Sequence, residues 1–423
     1  MSRQNWIFRR MRWGFFYAVL CLGISGTGHG QWCQWRGPAR GGSVPAAARK
    51  GVWQLQPILL WEREVGGGYS APLVKDHRIW IQSREGGREV IRCMDRGNGE
   101  LIWQSGYEVP FRVDTDAQAH GAGPFSTPAL ADERLFTLSM SGVLSVWETS
   151  TGRLLWRADY GQEFPPGYPY FGASASPLVW EGNCYLHFGS SGWDDPAKGA
   201  MIALAVADGR EVWRWEGDGP AVGASPVLGM IGNLPQLIFK TSVYLVGVNP
   251  HNGKELWRIL YEVPMTNTII TPLLLDDVLV TSDYEIGFRA WQIQRRGANW
   301  SVQERWRHRK ASLFTSSPVR VGEIIVGFSH FRKGELVALD PTDGRLLWRG
   351  EPRQGEHATL IAWGDTLLVF REDGMLVVGQ VSVQSFRILA THSLGSALMW
   401  AHPAIADGHL YIRDGHRLAA YDF

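Results

Sequence analysis

The sequence predicts an all-β protein, an eight-bladed β-propeller of four-stranded antiparallel blades with tryptophan-docking motifs. Three observations predict it: a composition rich in turn formers and Trp, a Gly-x-x-x-Trp register, and a hydroxyl–Pro register lying between successive Trp positions. The 423 residues include 50 Gly, 22 Pro and 21 Trp, which suits many short strands joined by tight turns rather than a helical bundle. Hydrophobic residues at 45% and charged residues at 20% supply a sizeable core and exclude global disorder. A formal charge of +1 gives no basis for nucleic-acid binding, which relies on dense cationic patches.

In chain order, residues 1–30 come first. Arg3, Arg9, Arg10 and Arg12 precede an apolar stretch from Trp13 to Ile24, then the small residues of Gly28-His29-Gly30, and no Asp or Glu occurs before Glu62. This is the pattern of a secretory signal peptide cleaved near Gly30, which points to a periplasmic or secreted protein. The apolar stretch is too short to cross a hydrocarbon core of about 30 Å, so no transmembrane span is expected in the mature chain. Arg12 stands where a twin-arginine signal wants an apolar residue. Neither Cys21 nor Cys33 follows a small residue directly, so a lipidated N-terminus is not expected. Cleavage removes four Arg, taking the formal charge from +1 to −3. It leaves Cys33, Cys93 and Cys184, which allow one internal bridge at most.

Residues 31–56 read as an N-terminal arm, and 57–423 as a single propeller domain. One register in it is Gly-x-x-x-Trp, at Gly99/Trp103, Gly152/Trp156, Gly209/Trp213, Gly253/Trp257 and Gly344/Trp348; Trp61 and Trp306 sit in phase without the short Gly turn. Each unit reads as a strand, a tight turn where Gly takes positive φ, and a strand carrying Trp. These seven Trp are expected to dock between neighbouring blades. The other register runs Ser70-Ala71-Pro72, Ser126-Thr127-Pro128, Ser176-Pro177, Ser225-Pro226, Thr271-Pro272 and Ser317-Pro318, with Ala358-Thr359-Leu360 and His402-Pro403 as degenerate copies. Pro lacks a donor and belongs at a strand start, so eight copies mark eight strand starts. A period of about 45 residues is that of propeller blades. The last copy lacks a Trp strand and Ile58-Leu59-Leu60-Trp61 supplies one, so pairing the two ends closes the ring and hides both edges.

The segment Ala338-x-Asp340 with Gly344 and Trp348 and the run Thr151-Gly152-Arg153-Leu154-Leu155-Trp156 resemble the tryptophan-docking motif of the PQQ-like (quinoprotein-like) β-propeller repeat family. Gln34-Trp35-Arg36-Gly37-Pro38 is similar to the N-terminal arm of its secreted bacterial members. The resemblance implies two kinds of function. One branch, the quinoprotein dehydrogenases, oxidises alcohols or sugars with PQQ and Ca²⁺ at one mouth of the ring; this chain has no adjacent Cys pair, no long inserts and no CxxCH haem segment. The other branch, similar to the outer-membrane protein assembly factor BamB, binds partner proteins without a cofactor. The chain departs from it in lacking a lipidation Cys.

Motifs for chemistry are few. No Gly-x-Ser-x-Gly elbow, HExxH or P-loop occurs, and no catalytic residue is assigned. Asp114-Thr115-Asp116 with His120 offers two carboxylates and a mismatched imidazole, too few oxygens for a hard cation, so no metal site is expected. Lys240, His357 and His402 fall near inner strands, where hydrogen-bonded or solvated roles outweigh channel lining. The Trp103–Pro128 and Trp156–Pro177 connections are the long ones, and insertions in repeat proteins commonly mark the binding face. Asp114, His120, Tyr168 and Tyr170, which they carry, are the candidate partner-binding residues. The function expected is a non-enzymatic scaffold for envelope or secreted proteins with no cofactor. Its rivals are a PQQ- and calcium-dependent quinoprotein oxidoreductase and a carbohydrate-binding or sensing propeller.

Overall fold

The computed structural model describes residues 31–44, 56–113, 118, 120–164, 172–190, 198–217, 223–264, 268–395 and 399–423. The expected signal peptide, Asp114, Tyr168 and Tyr170 lie outside them. Eight four-stranded antiparallel sheets follow one another: blades 1 to 7 span 73–108, 129–159, 178–217, 227–260, 273–308, 319–349 and 358–393. Blade 8 joins 404–422 to the strand Ile58–Glu64, which pairs antiparallel with Arg417–Asp422 from Ile58↔Asp422 to Glu64↔Arg417. The first strand of each blade is innermost. Leu73–Lys75, Ala129–Ala131 and Leu178–Trp180 are only three residues long, while outer strands reach ten in Asn299–His308.

The Trp register has a physical basis at the blade interfaces. Trp61, Trp103, Trp156, Trp213 and Trp306 each lie on the turn Gly of the next blade: a Cβ on Gly99, Gly152, Gly209, Gly253 or Gly344 would come within 2.3–2.6 Å of the ring. The Gly in each Gly-x-x-x-Trp therefore serves the preceding blade's Trp, not its own. The indole N–H groups of the same five donate to Arg96, Thr149, Val206, Pro250 and Pro341 carbonyls at 2.7–3.0 Å, and Trp348 donates to Ser382 O.

Trp257 is the exception, donating to Gln236 of its own blade at 2.7 Å. Blade 5 explains it. Its outer hairpin pairs from Phe288↔His308 to Arg296↔Asn299, so no short Gly turn faces Trp257.

A β-bulge precedes the Trp position in every blade, for example between Cys93 and Met94, Val146 and Trp147, and Ala338 and Leu339 on the partner strands. One outer-strand residue is skipped, which re-aims the next side chain into the interface. In blade 7 the same shift, between Val378 and Gly379, places Ala390 there instead of Trp.

Candidate functional site

The hydroxyl–Pro register forms a belt around the axis. Ala71 N donates to Thr127 Oγ1 at 3.1 Å, Thr127 N to Ser176 Oγ at 3.0 Å, Ser176 N to Ser225 Oγ at 2.9 Å, and Thr271 N to Ser317 Oγ at 3.0 Å. Ala358 N closes onto Ser316 Oγ at 3.1 Å. In the first four bonds the hydroxyl of one blade satisfies a backbone N–H of the blade before it, and in the last the Ser316 hydroxyl of blade 6 serves the N–H of blade 7. Ser70, Ser126, Ser176, Ser225 and Thr271 are buried. These hydroxyls hold neighbouring blades together.

Inside the belt lies the arm. Residues 31–44 enter the ring and touch blades 1, 2, 3, 5, 6, 7 and 8. Trp32 and Val74 exchange backbone bonds at 2.8 and 2.9 Å, and Leu130 N donates to Cys33 O at 2.8 Å. Trp35 Nε1 donates to Thr271 Oγ1 at 3.0 Å. Arg36 Nη2 donates to Pro318 O at 2.7 Å, while Arg40 reaches Pro177 O at 2.9 Å and Ser176 O at 3.0 Å. Val44 N donates to Ala362 O, and Ala362 N to Gly42 O, both at 2.8 Å.

Trp32 and Val44 join one hydrophobic cluster with Ile79 of blade 1, Phe370 of blade 7 and Tyr411 of blade 8. The turn between them is tight: Arg36 and Arg40 hold φ of 57° and 53°, a left-handed conformation that costs about 1–3 kcal/mol for a non-Gly residue. Gly37 rests on the Trp32 ring, where a Cβ would sit 2.8 Å from it.

His402 stacks on Trp32 at 5.9 Å and meets Trp35 edge-on at 5.6 Å, with Nδ1 facing Pro403 O at 2.9 Å. Burial first, then the nearby Arg36 charge, pushes its pKa down to about 3. His357 stacks on Trp400 at 4.7 Å and lies 2.9 Å from Thr315 Oγ1; burial pushes it down to about 4. Both are neutral rings packed at inner-strand starts.

Lys240 does not line the channel. It is fully buried in an ion pair with Asp283 across blades 4 and 5. Asp283 also accepts from Tyr261 Oη at 2.9 Å and from the Ile269 and Ile270 N–H groups at 3.0 and 3.1 Å. Burial pushes Asp283 up and Lys240 down, and their mutual attraction opposes both shifts.

Of the four candidate partner-binding residues, the structure describes His120. It meets Trp400 edge-on at 5.1 Å and Tyr69 at 6.4 Å, and Tyr69 packs on Phe125 at 5.1 Å. The Trp103–Pro128 connection thus meets the connections leading into blades 1 and 8 in a half-buried aromatic cluster. Two features escaped sequence reasoning. Glu89 is buried between blades 1 and 2, accepting from Met140 N at 2.9 Å and Gln82 Nε2 at 2.7 Å, and burial raises it to about 7. No local pattern announces it. The axial arm did leave a trace: its two Arg stand in a stretch without any Asp or Glu before Glu62.

No group of three His, Cys, Asp or Glu positioned for a metal ion occurs among the described residues. Cys93 and Cys184 are buried free thiols. No helix among the described residues is long and apolar enough to cross a membrane.

Comparison with known proteins places this architecture. The profile of the outer membrane protein assembly factor BamB family matches residues 87–301 and 258–423. The BamB of Shewanella oneidensis is 22% identical over 383 residues, 84% of this chain and 86% of that protein. The BamB of Yersinia pestis is 22% identical over 382 residues, covering 85% and 87%. In structure, BamB from Moraxella catarrhalis superposes with a TM-score of 0.62 at 14% identity, over 87% of this chain and all of that one. A quinohemoprotein alcohol dehydrogenase from Pseudomonas putida HK5 gives 0.64 at 14% identity, covering 93% and 80%. At such identities the structural likeness speaks for the fold alone.

Proposed function

The chain belongs to the outer membrane protein assembly factor BamB family, and from that premise we propose that it is an exported, non-enzymatic scaffold binding protein partners in outer-membrane assembly. The observation that carries this reading is the filled axis. Residues 31–44 occupy the centre of the ring, so binding falls to the loops and edges, where protein partners dock. The Trp103–Pro128 connection contributes His120 and Phe125 to a cluster with Tyr69 and Trp400 that offers such a surface. Aromatic anchors are the side chains that dominate protein interfaces.

The quinoprotein reading fits the residues poorly. Ca²⁺ wants six to eight oxygen ligands, whereas the axial arm brings two buried Arg and no carboxylate. PQQ and Ca²⁺ added to the purified protein should give neither stoichiometric binding nor dye reduction. Turnover in that assay would reverse the assignment.

Partner capture tests the scaffold directly. Replacing Tyr168 and Tyr170 together with Ala should weaken binding to the envelope partner by roughly 1–4 kcal/mol with little change in melting temperature. Unchanged affinity, or a large loss of folding stability, would make the loop a blade cover instead. Export with cleavage near Gly30 is part of the same proposal, and an intact N-terminus on protein from the periplasmic or extracellular fraction would refute it.

A further inference from the structure

The eight blades share one plan, so a position that departs from it in neighbouring blades marks a place. The residue opening the second strand of each blade is, in order around the ring, Arg78, Arg134, Asn183, Leu234, Val278, Ile324, Thr366 and His409. Arg stands there only in blades 1 and 2. Both Arg line one cleft of about 280 Å³ between those two blades. The cleft lies at the far ends of the inner strands from the connections that carry Tyr69 and His120. It is therefore separate from the proposed partner surface, and either reading can fail without the other.

The groups around the cleft show what it lacks. Arg78 Nη1 donates to Thr149 O at 3.3 Å and Arg134 Nη1 to Asp132 O at 3.2 Å, and neither Arg forms an ion pair among the described residues. Lys75, the third cation on the walls, is already paired with Glu133 at 2.9 Å, and Thr149 Oγ1 donates to the same carboxylate at 3.2 Å. Trp80 lines the cleft and is 3% exposed, and its Nε1 meets no acceptor among the described residues; nor does the buried Nε of Arg134. Both unmet groups are donors, and a buried donor left unmet is costly. The missing piece is an acceptor that carries negative charge.

We propose that the cleft between blades 1 and 2 binds a carboxylate with a short apolar tail, either a free small acid or the side chain of an acidic residue on a peptide. The carboxylate faces Arg78 and Arg134, whose planar guanidiniums match its geometry. The tail lies on Trp80, Leu130 and Ala131. The volume is at the low end for ligand sites and suits a molecule of side-chain size. Asp76 and Glu133 also line the walls and repel a second negative charge, which selects a monoanion over a dianion.

The test follows the full chain with isotope-labelled tryptophan by NMR at fixed pH and ionic strength, the Trp80 indole signal being the one lost in W80F. Butyrate should move that signal saturably, with a Kd on the order of 1 mM for so small a ligand. Arg78→Met combined with Arg134→Met should weaken binding by about tenfold or more. Butyramide has the same shape without the charge and should not bind, an arm that decides the matter even if the double variant fails to fold. A signal indifferent to butyrate, equal binding of butyramide, or tighter binding of inorganic phosphate would each overturn the proposal. A blocked peptide with a single Glu separates the two sources. Tighter binding than butyrate assigns the cleft to an acidic protein segment and weaker binding to a free acid, and either supports a carboxylate site.

Discussion

The rim and the hub of this ring are built on opposite plans. At the rim, Trp61, Trp103, Trp156, Trp213 and Trp306 repeat one contact, each on a Gly of the next blade with its indole N–H on a carbonyl there. In the arm at the hub no motif recurs: Trp32, Trp35, Arg36, Arg40 and Val44 each meet a different blade. Repetition spreads stability over many equivalent joints, as in other repeat proteins. A single-copy arm concentrates it, since one substitution there is felt by several blades.

The sharpest way to break this contrast is at Trp32, which is 1% exposed with Gly37 on its ring and His402 stacked beside it. Trp32→Ala should cost about 3–5 kcal/mol and loosen blades 1 and 8 together, measured as lost amide protection in both. Protection lost in one blade alone would make the hub no more connected than the rim.

A pair of glycines sharpens the rim. Gly344 and Gly297 have similar φ, 72° and 64°, but a Cβ meets the Trp306 ring at 2.3 Å in the first and nothing within 4 Å in the second. Gly297→Ala should therefore cost only backbone strain, about 1–2 kcal/mol. Gly344→Ala should cost about 2–4 kcal/mol, because overpacking is added. Equal losses in denaturant titrations would mean that Trp docking contributes nothing.

Read per pH unit, the titration effects are the smallest. His402 has a folded pKa depressed to about 3, so the unfolded chain binds its proton first. Its contribution is present above about 6.5 and is lost as pH falls toward 3, at about 1.4 kcal/mol per unit. Glu89 has the opposite sign. Raised to about 7, it contributes fully below about 4.5 and loses that contribution as pH rises through 7. His402→Gln should flatten the acid limb of stability against pH, and Glu89→Gln should make stability less dependent on pH between about 5 and 7. A slope unchanged in either variant would mean that the side chain is solvated in the folded protein.

Legibility followed repetition too. Blade number, Trp phase and the closing strand were readable because each pattern recurs and each recurrence checks the last. The partners of the pattern were not: that Gly344 serves Trp306 and not Trp348 depends on which blade stands next in space. The bulge before each Trp was invisible because it is a property of pairing, not of residue type. At the hub, Gln34-Trp35-Arg36-Gly37-Pro38 was recognisable as an arm, but a single copy carries no periodicity to reveal its place. Lys240 and Asp283 are 43 residues apart, and no local signal joins them.

The arm also sets an order of events. Trp32 stacks on His402 and Val44 bonds Ala362, so residues near the start of the chain wait for partners near its end. Contacts of such long sequence separation are slow to form, because loop closure precedes any reward. During synthesis, with the N-terminus emerging first, the rim joints can form blade by blade while the arm stays unplaced. Ring closure and hub insertion then coincide as the last step, and a chain cut short before blade 8 has neither.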